Sequence, residues 1–359
     1  MHLPRQSGWF KLQLALFLLM SLLLGHRLLS FGETATKEKE DEQSGLVVQY
    51  VSGDRVIVKK DVTVPKAPTV VPTATPVVMQ EDIVQTVTDV YQGAFLPECY
   101  PVLSDIVGVK YEKENLLRLD YLKDNFYIVN STTKMTEKEF DAEYFLNADL
   151  SLVQTEKPQI LIYHTHASEG FIDSRTGCTE DTVVGMGELL ADILQEKYGY
   201  AVIHDTTVFD RKDGKDNRSN AYSDALVYVE QLLKEHPSIE VIIDLHRDAG
   251  TKRVVTLQGK QVAKVMLFNG LSRTKEKELT YLPNQFIKDN LAFSFQLKLI
   301  GDEMYPGFLN RIFLKDYRYN MHLRERYLLV ELGTQNNTVE EAKNAMEPLA
   351  DVLAQVLGK

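Results

Sequence analysis

The sequence predicts an α/β fold: a mostly parallel or mixed sheet flanked by helices, preceded by an N-terminal transmembrane helix. Three observations carry this expectation. From residue 158 onward, short apolar runs of strand length alternate with longer amphipathic stretches, the pattern of βαβ units. The apolar run LQLALFLLMSLLLG lies within residues 9–31, between Lys11 and Arg27. The 359-residue chain is 44% hydrophobic and 25% charged, the composition of an ordinary folded domain.

The N-terminal run approaches the roughly 20 apolar residues that span a bilayer, provided that Lys11 and Arg27 snorkel. Arg5 and Lys11 precede its core, which favours a cytoplasmic N-terminus over residues 1–8 and sends the rest of the chain outward. A cleaved signal peptide is the rival reading. No A-x-A site follows the apolar core, so an uncleaved anchor at 9–31 is favoured. Both readings export the chain, and the anchor makes it a single-pass cell-membrane protein whose globular part is extracytoplasmic. Residues 32–85 read as a disordered or extended tether: KEKEDEQ is a charge run, and VPKAPTVVPTATPVV interleaves Pro and Thr with small apolar residues. A local hairpin at 46–58 (LVVQYVSGDRVIV) is the alternative there. The net charge of -11 argues against nucleic acid, which needs clustered Lys and Arg. Cys99 and Cys178 are the only cysteines. Two cannot form a disulfide framework or a Cys-rich metal site, and a single Cys99–Cys178 bridge and two free thiols both stay open.

The globular part runs over 86–359. A helix is expected near 86–95, QILIYH is a buried strand, and VVGMGELLADILQEKYG is a helix stopped by Gly199. YAVIHD is a strand, NAYSDALVYVEQLLKEH an amphipathic helix ending before Pro237, and IEVIIDLH a strand. A hairpin follows in KRVVTLQGKQVAKVMLFNG, with its turn at Gly259–Lys260. A long helix covers 283–301, and RYLLVELG is the last buried strand. The final helix opens at Thr338 with Glu341 three residues on, a capping-box spacing, and runs to the C-terminus.

Three of these strands end in polar, metal-capable residues: QILIYH runs into THASE, IEVIIDL into HRDA, and YLLV into ELGTQNN. Open α/β sheets bind ligands beyond the carboxyl ends of their strands, so three such ends define one candidate crevice. His166 and Glu169, spaced H-x-x-E, together with His246 make a set of two imidazoles and a carboxylate. That set leaves a fourth zinc position open, which marks a catalytic rather than a structural site. Zinc there makes a nucleophile available at neutral pH, and a separate carboxylate must move the proton; Glu331, emerging from YLLV, is placed for it. A single His after a strand is more often structural, and H-x-x-E alone is weak; the joint placement of four residues is the stronger signal. His164, two residues before His166, reads as a supporting or packing residue. Asp244 is expected to orient His246. Arg247, Asp248, His322 and Gln335 are candidates for substrate contact, each with an ordinary structural reading beside it.

The segments ILIYHTHASEGF, VIIDLHRDA, YPGFLNRIFLKDYRYN and LLVELGTQNNT, in that order, resemble the stage II sporulation protein P family over roughly residues 90–359. The resemblance implies a fold similar to the zinc N-acetylmuramoyl-L-alanine amidases. It implies cleavage of the amide between the glycan lactyl group and the stem peptide, with endopeptidase action on crosslinks. The setting it implies is septal thinning and engulfment in sporulation. Peptidoglycan is then the substrate, and the implied partners are the lytic transglycosylase stage II sporulation protein D and the membrane protein stage II sporulation protein M. Carried over residue by residue, His166 and His246 are Zn2+ ligands and Glu331 the catalytic base. The amidases take their carboxylate ligand from a helix further along, which points to Glu180 or Glu188, whereas the HTHASE motif favours Glu169. A peptidase acting on crosslinks alone, and a non-catalytic wall-binding scaffold, are the competing functions.

Overall fold

The computed structural model describes residues 108–358 and, before them, the backbone of three strands. The transmembrane segment expected at 9–31 and the helix expected at 86–95 lie outside the described residues. Among the described residues, no helix is long and apolar enough to cross a membrane.

Within the span read as a tether, β1 (Lys39–Glu40), β2 (Leu46–Val51) and β3 (Asp54–Lys59) form an antiparallel sheet in that order. The β2–β3 register runs from Leu46↔Lys59 to Val51↔Asp54. These strands belong to a unit separate from the one that follows.

Among the described residues, the second unit opens with α1 (Lys113–Leu116), α2 (Leu119–Asn125), β4 (Tyr127–Val129) and α3 (Ala142–Asn147). Next come β5 (Ile160–Tyr163), α4 (Val183–Glu196), β6 (Val202–His204), the ribbon β7 (Arg211–Lys212) and β8 (Lys215–Asp216), α5 (Ala221–Glu235) and β9 (Val241–Asp248). The chain continues through β10 (Val254–Leu257), β11 (Lys260–Ala263), β12 (Val265–Gly270), α6 (Ile287–Met304) and β13 (Ile312–Lys315). It closes with β14 (Arg326–Thr334), α7 (Val339–Lys343) and α8 (Met346–Val356).

Seven strands make the central sheet, in the order β4-β13-β12-β14-β9-β5-β6. All neighbours run parallel except β12 and β14, so the sheet is mixed and mostly parallel. β5, β9 and β14 are adjacent and co-directional, and their carboxyl ends meet at one edge. Side chains alternate between the two faces of a strand. Ile160, Ile162, Val241, Ile243, Leu328 and Val330 enter the larger core, shared with Leu190, Phe293 and Leu353 of α4, α6 and α8. Leu161, Tyr163, Ile242 and Tyr327 face the other way, onto Ala221, Ala225, Val229 and Leu233. That i, i+4 stripe is why α5 packs there; burying Val229 and Leu233 contributes roughly 1.5–3 kcal/mol each.

Three elements depart from expectation. The β10–β11 turn falls on Gln258–Gly259, not Gly259–Lys260. Both residues have positive φ (50° and 77°), which a two-residue I′ turn demands. The long helix starts at Ile287 rather than 283, because Asn284 Oδ1 accepts from Phe286 N at 2.9 Å and holds a turn there. The last helix begins with the full Thr338–Glu341 capping box but breaks into α7 and α8. Pro348 lacks an N–H and its ring clashes with a helical carbonyl four residues back, at Asn344.

Gly270 closes β12 where a Cβ would meet the backbone oxygen of Tyr317 at 2.2 Å. Gly→Ala inside a strand ordinarily stabilises by roughly 0.5–1 kcal/mol. We expect the opposite sign for Gly270→Ala, a loss of about 1–3 kcal/mol in urea unfolding; an unchanged or raised midpoint would contradict this packing.

Candidate metal centre

The site grows from the end of β5. Beyond Tyr163 the chain turns over β9, and Thr165 donates to Asp244 twice, N to Oδ1 at 2.8 Å and Oγ1 to Oδ2 at 2.6 Å. Glu169 N donates to His166 O at 3.2 Å, closing a turn that brings the two side chains to one side. Arg247 N donates to Glu169 Oε2 at 3.1 Å, and Arg247 Nε to Gly170 O at 3.0 Å, so β9 holds the loop from below. His246 and Glu331 are register partners on β9 and β14. Side chains in register on adjacent strands share a face about 5 Å apart.

Glu169 sits between the two imidazoles. His166 Nδ1 is 3.6 Å from its Oε1, and His246 Nδ1 is 3.5 Å from its Oε2. The donor atoms of this trio all lie within 4.8 Å of one another. Zinc bonds of about 2.0–2.1 Å in a tetrahedron put donors roughly 3.3–3.4 Å apart, so the spacing suits one small cation. Behind it, His246 Nε2 lies 2.8 Å from Asp244 Oδ1, a charge contact without hydrogen-bond geometry. A carboxylate behind a ligating imidazole fixes its tautomer. Two neutral-capable imidazoles and one carboxylate fit zinc by chemistry as well as by spacing.

Burial alone would push the Glu169 carboxyl up, but His166, His246 and Arg247 outweigh it and hold the group well below the carboxylate range. Burial would lower His246; Asp244 and Glu169 reverse that and raise it well above an ordinary histidine. Asp244 is likewise opposed by burial and held low, chiefly by His246 and then by Thr165. Glu331 differs. Burial, only partly relieved by His246 and reinforced by Glu169, Asp248 and Asp244, raises it to about 7. Its Oε2 is sealed from solvent and has no hydrogen-bond partner among the described residues.

The other residues singled out from sequence are placed unequally. His164 leaves the trio: its Nδ1 donates to Leu245 O at 2.8 Å and its Nε2 meets His204 Nε2 at 3.0 Å. Glu188 reaches His204 Nδ1 at 2.6 Å, and Glu180 contacts Cys178 and Arg175, so neither approaches the His166–His246 pair as Glu169 does. Cys178 is a free thiol; Cys99 lies outside the described residues. Asp248 pairs with Arg253 at 2.8 Å, and Gln335 Oε1 accepts from Gly250 N at 2.9 Å. His322, lowered to about 4 by burial and then by Arg318, keeps a buried Nδ1 with no hydrogen-bond partner among the described residues. Two residues were not read from sequence. Arg218 NH1 lies 3.4 Å from Glu169 Oε1, and the Tyr222 ring centroid lies 5.6 Å from that of His166. Tyr222 sits one step off the apolar stripe of α5, which is the signal that could have singled it out.

Two outcomes follow from this electrostatic layout. The Glu331 carboxyl is raised in the fold, so its share of stability is complete below the unfolded value and lost as pH rises through about 7. Glu331→Gln should therefore stabilise the metal-free protein by up to about 3 kcal/mol at pH 8 and by much less at pH 5; urea midpoints shifting equally at both pH values would contradict it. Asp244→Asn should weaken zinc affinity about 10–100-fold in competition titrations with a chromophoric chelator, and unchanged affinity would remove Asp244 from the site.

One protein family matches most of the chain. The family described as Stage II sporulation protein P matches residues 103–354. The Stage II sporulation protein P of Bacillus subtilis (strain 168) is 26% identical over 217 residues, covering 56% of this chain and 51% of that protein. The chain thus spans about half the length of this curated relative. Among solved structures, the N-acetylmuramoyl-L-alanine amidase AmiC2 of Nostoc punctiforme aligns with a TM-score of 0.34 and 12% identity over 58% of this chain and 100% of its own. The N-acetylmuramyl-L-alanine amidase Ami1 from Mycobacterium smegmatis gives 0.35 and 12% over 57% and 99%. The catalytic domain of the amidase CwlV from Bacillus (Paenibacillus) polymyxa var. colistinus gives 0.32 and 14% over 55% and 96%.

Proposed function

Because the chain belongs to the stage II sporulation protein P family, we propose that it is a zinc-dependent peptidoglycan hydrolase that cleaves the N-acetylmuramoyl-L-alanine amide in sporulation. The observation that carries this reading is the pairing of a cation-sized His166–Glu169–His246 trio with a Glu331 carboxyl whose Oε2 is buried and unpartnered among the described residues. His166, Glu169 and His246 hold the zinc ion. Zinc so bound supplies a Lewis acid for the scissile carbonyl and makes a nucleophile available at neutral pH.

The remaining work belongs to the chain itself. Glu331, held near 7, takes the proton of the attacking water as its oxygen bonds to the lactyl carbonyl carbon, then gives that proton to the leaving L-alanine nitrogen as the C–N bond breaks. A shuttle pKa near the working pH suits both transfers. Asp244 keeps His246 aligned, and Arg247 keeps the Glu169 loop on β9. Peptide crosslinks present the same amide chemistry, so endopeptidase action is part of the proposal. So is the setting: an anchor at residues 9–31 would hold the hydrolase at the sporulation septum. The partners would be peptidoglycan itself, the transglycosylase stage II sporulation protein D and the membrane protein stage II sporulation protein M.

The test is digestion of purified peptidoglycan by the zinc-loaded full chain, read by mass spectrometry of the products. Free stem peptides are expected from wild type. We expect Glu331→Gln to lower turnover by at least about 100-fold, within the range of general acid–base contributions, with one zinc per chain retained. Products from crosslinks alone would contradict the bond assigned, and full activity in Glu331→Gln would contradict the role of Glu331.

A further inference from the structure

We propose that the Tyr222 hydroxyl is a further catalytic group of this site, donating a hydrogen bond to the carbonyl oxygen as it takes up charge during attack. The assignment rests on the hydrolase reading and adds a residue that reading does not use.

Tyr222 completes a triangle of rings over the site. Its centroid is 5.6 Å from that of His166 at 74° and 6.3 Å from that of His246 at 15°, and the two imidazole centroids are 5.0 Å apart. The ring therefore stacks beside one proposed ligand and stands edge-on to the other. Its hydroxyl lies in the field of Asp244 and Glu331, the two carboxylates that flank His246 within the sheet.

That hydroxyl is unused. On this same face the fully buried Tyr163 and Tyr327 bond each other through their hydroxyls at 2.5 Å, whereas Tyr222 is half-buried and its hydroxyl is not sealed among neighbours. Among the described residues, no hydrogen bond is made by the Tyr222 hydroxyl. As an ordinary phenol it is a donor at neutral pH.

The surroundings hold the ring in place by means that packing alone does not require. Asn320 Nδ2 donates to Tyr222 O at 2.9 Å, and the Tyr319 ring meets Tyr222 edge-on at 5.3 Å. Tyr319 and Asn320 both have positive φ, 48° and 58°. Non-glycine residues there carry roughly 1–3 kcal/mol of strain each and concentrate at functional sites. Here the strained pair is the buttress behind Tyr222. A donor fixed before reaction costs no reorganisation when charge develops, which is how such groups lower barriers.

The step balances without any further reactant. Water oxygen bonds to the carbonyl carbon, the π pair moves onto the carbonyl oxygen where Tyr222 donates, and Glu331 receives the water proton. When the π bond re-forms, the C–N bond breaks and Glu331 returns the proton to nitrogen. Tyr222 keeps its own proton throughout.

Tyr222→Phe keeps the ring and removes only the hydroxyl. In zinc-loaded full-length protein we expect kcat on peptidoglycan fragments to fall about 100-fold, with KM within about threefold and the acid limb of the pH profile unmoved. One zinc per chain and the wild-type melting temperature should be retained. Independently of turnover, a phosphinate isostere of the lactyl–alanine amide should bind at least about 10-fold more weakly, as its charged oxygen loses a donor. Activity within threefold of wild type, or unchanged phosphinate affinity, would overturn the assignment. A displaced acid limb would also overturn it, by making Tyr222 a positioning residue for Glu331. Wild type that releases no stem peptide would instead overturn the hydrolase reading itself.

Discussion

Asp244 is fully buried in the middle of β9, and every part of the site hangs on what it binds. Its two oxygens take both donors of Thr165 and stand beside His246. One carboxylate thus fixes where the β5 loop crosses β9 and how the central imidazole is turned. The charge is tolerated in the core because its partners are in place; a buried carboxylate that loses one is left uncompensated, at a cost of about 3–5 kcal/mol. Glu169 repeats the arrangement one layer out, with Arg247 N beneath it and Arg218 beside it. The proposed ligands are therefore positioned by groups that are themselves hydrogen-bonded, which is what a metal centre needs to be rigid before the ion arrives.

The sheet explains why these residues meet at all. β5, β9 and β14 are neighbours running the same way, so the loops that follow them open at one edge. The reversal between β12 and β14 limits that edge to one half of the sheet. On the face where Asp244, His246 and Glu331 project, α5 covers the lower part with its Ala221–Ala225–Val229–Leu233 stripe, and its first turn sets Tyr222 at the level of the imidazoles. The opposite face is closed by α4, α6 and α8. The Glu331 carboxyl on that face is consequently buried enough to be raised to about 7.

Much of this was legible in the residues. Apolar runs leading into HTHASE, HRDA and ELGT marked three strands and their shared edge, although β9 runs on through Asp248 and β14 through Thr334, so His246 and Glu331 lie within their strands. The helix stop at Gly199 and the cap at Thr338–Glu341 were readable from local chemistry, and so was the Glu169 turn, whose hydrogen bond is closed three residues apart. What depended on distant partners was not readable. His164 reads as a supporting or packing residue, but its partners Leu245 and His204 cannot be named from the sequence, because the chain leaves the strand at Tyr163 and alternation no longer applies. The split at Asn344 depends on a proline three residues into the next helix. Arg218 and Tyr222 are far from the motifs in sequence and reach the site only because α5 packs on that face.

The central claim is that one cation is held by His166, Glu169 and His246, with Glu331 beside it and outside the coordination sphere. X-ray absorption at the zinc edge of the loaded full chain, paired with Glu169→Gln, tests this most directly. The account expects two imidazole nitrogens at about 2.0–2.1 Å and one carboxylate oxygen at about 2.0–2.2 Å, with the oxygen signal altered in the variant. An unchanged spectrum in Glu169→Gln, or a shell with a single imidazole, would contradict it and move the carboxylate ligand to another part of the chain.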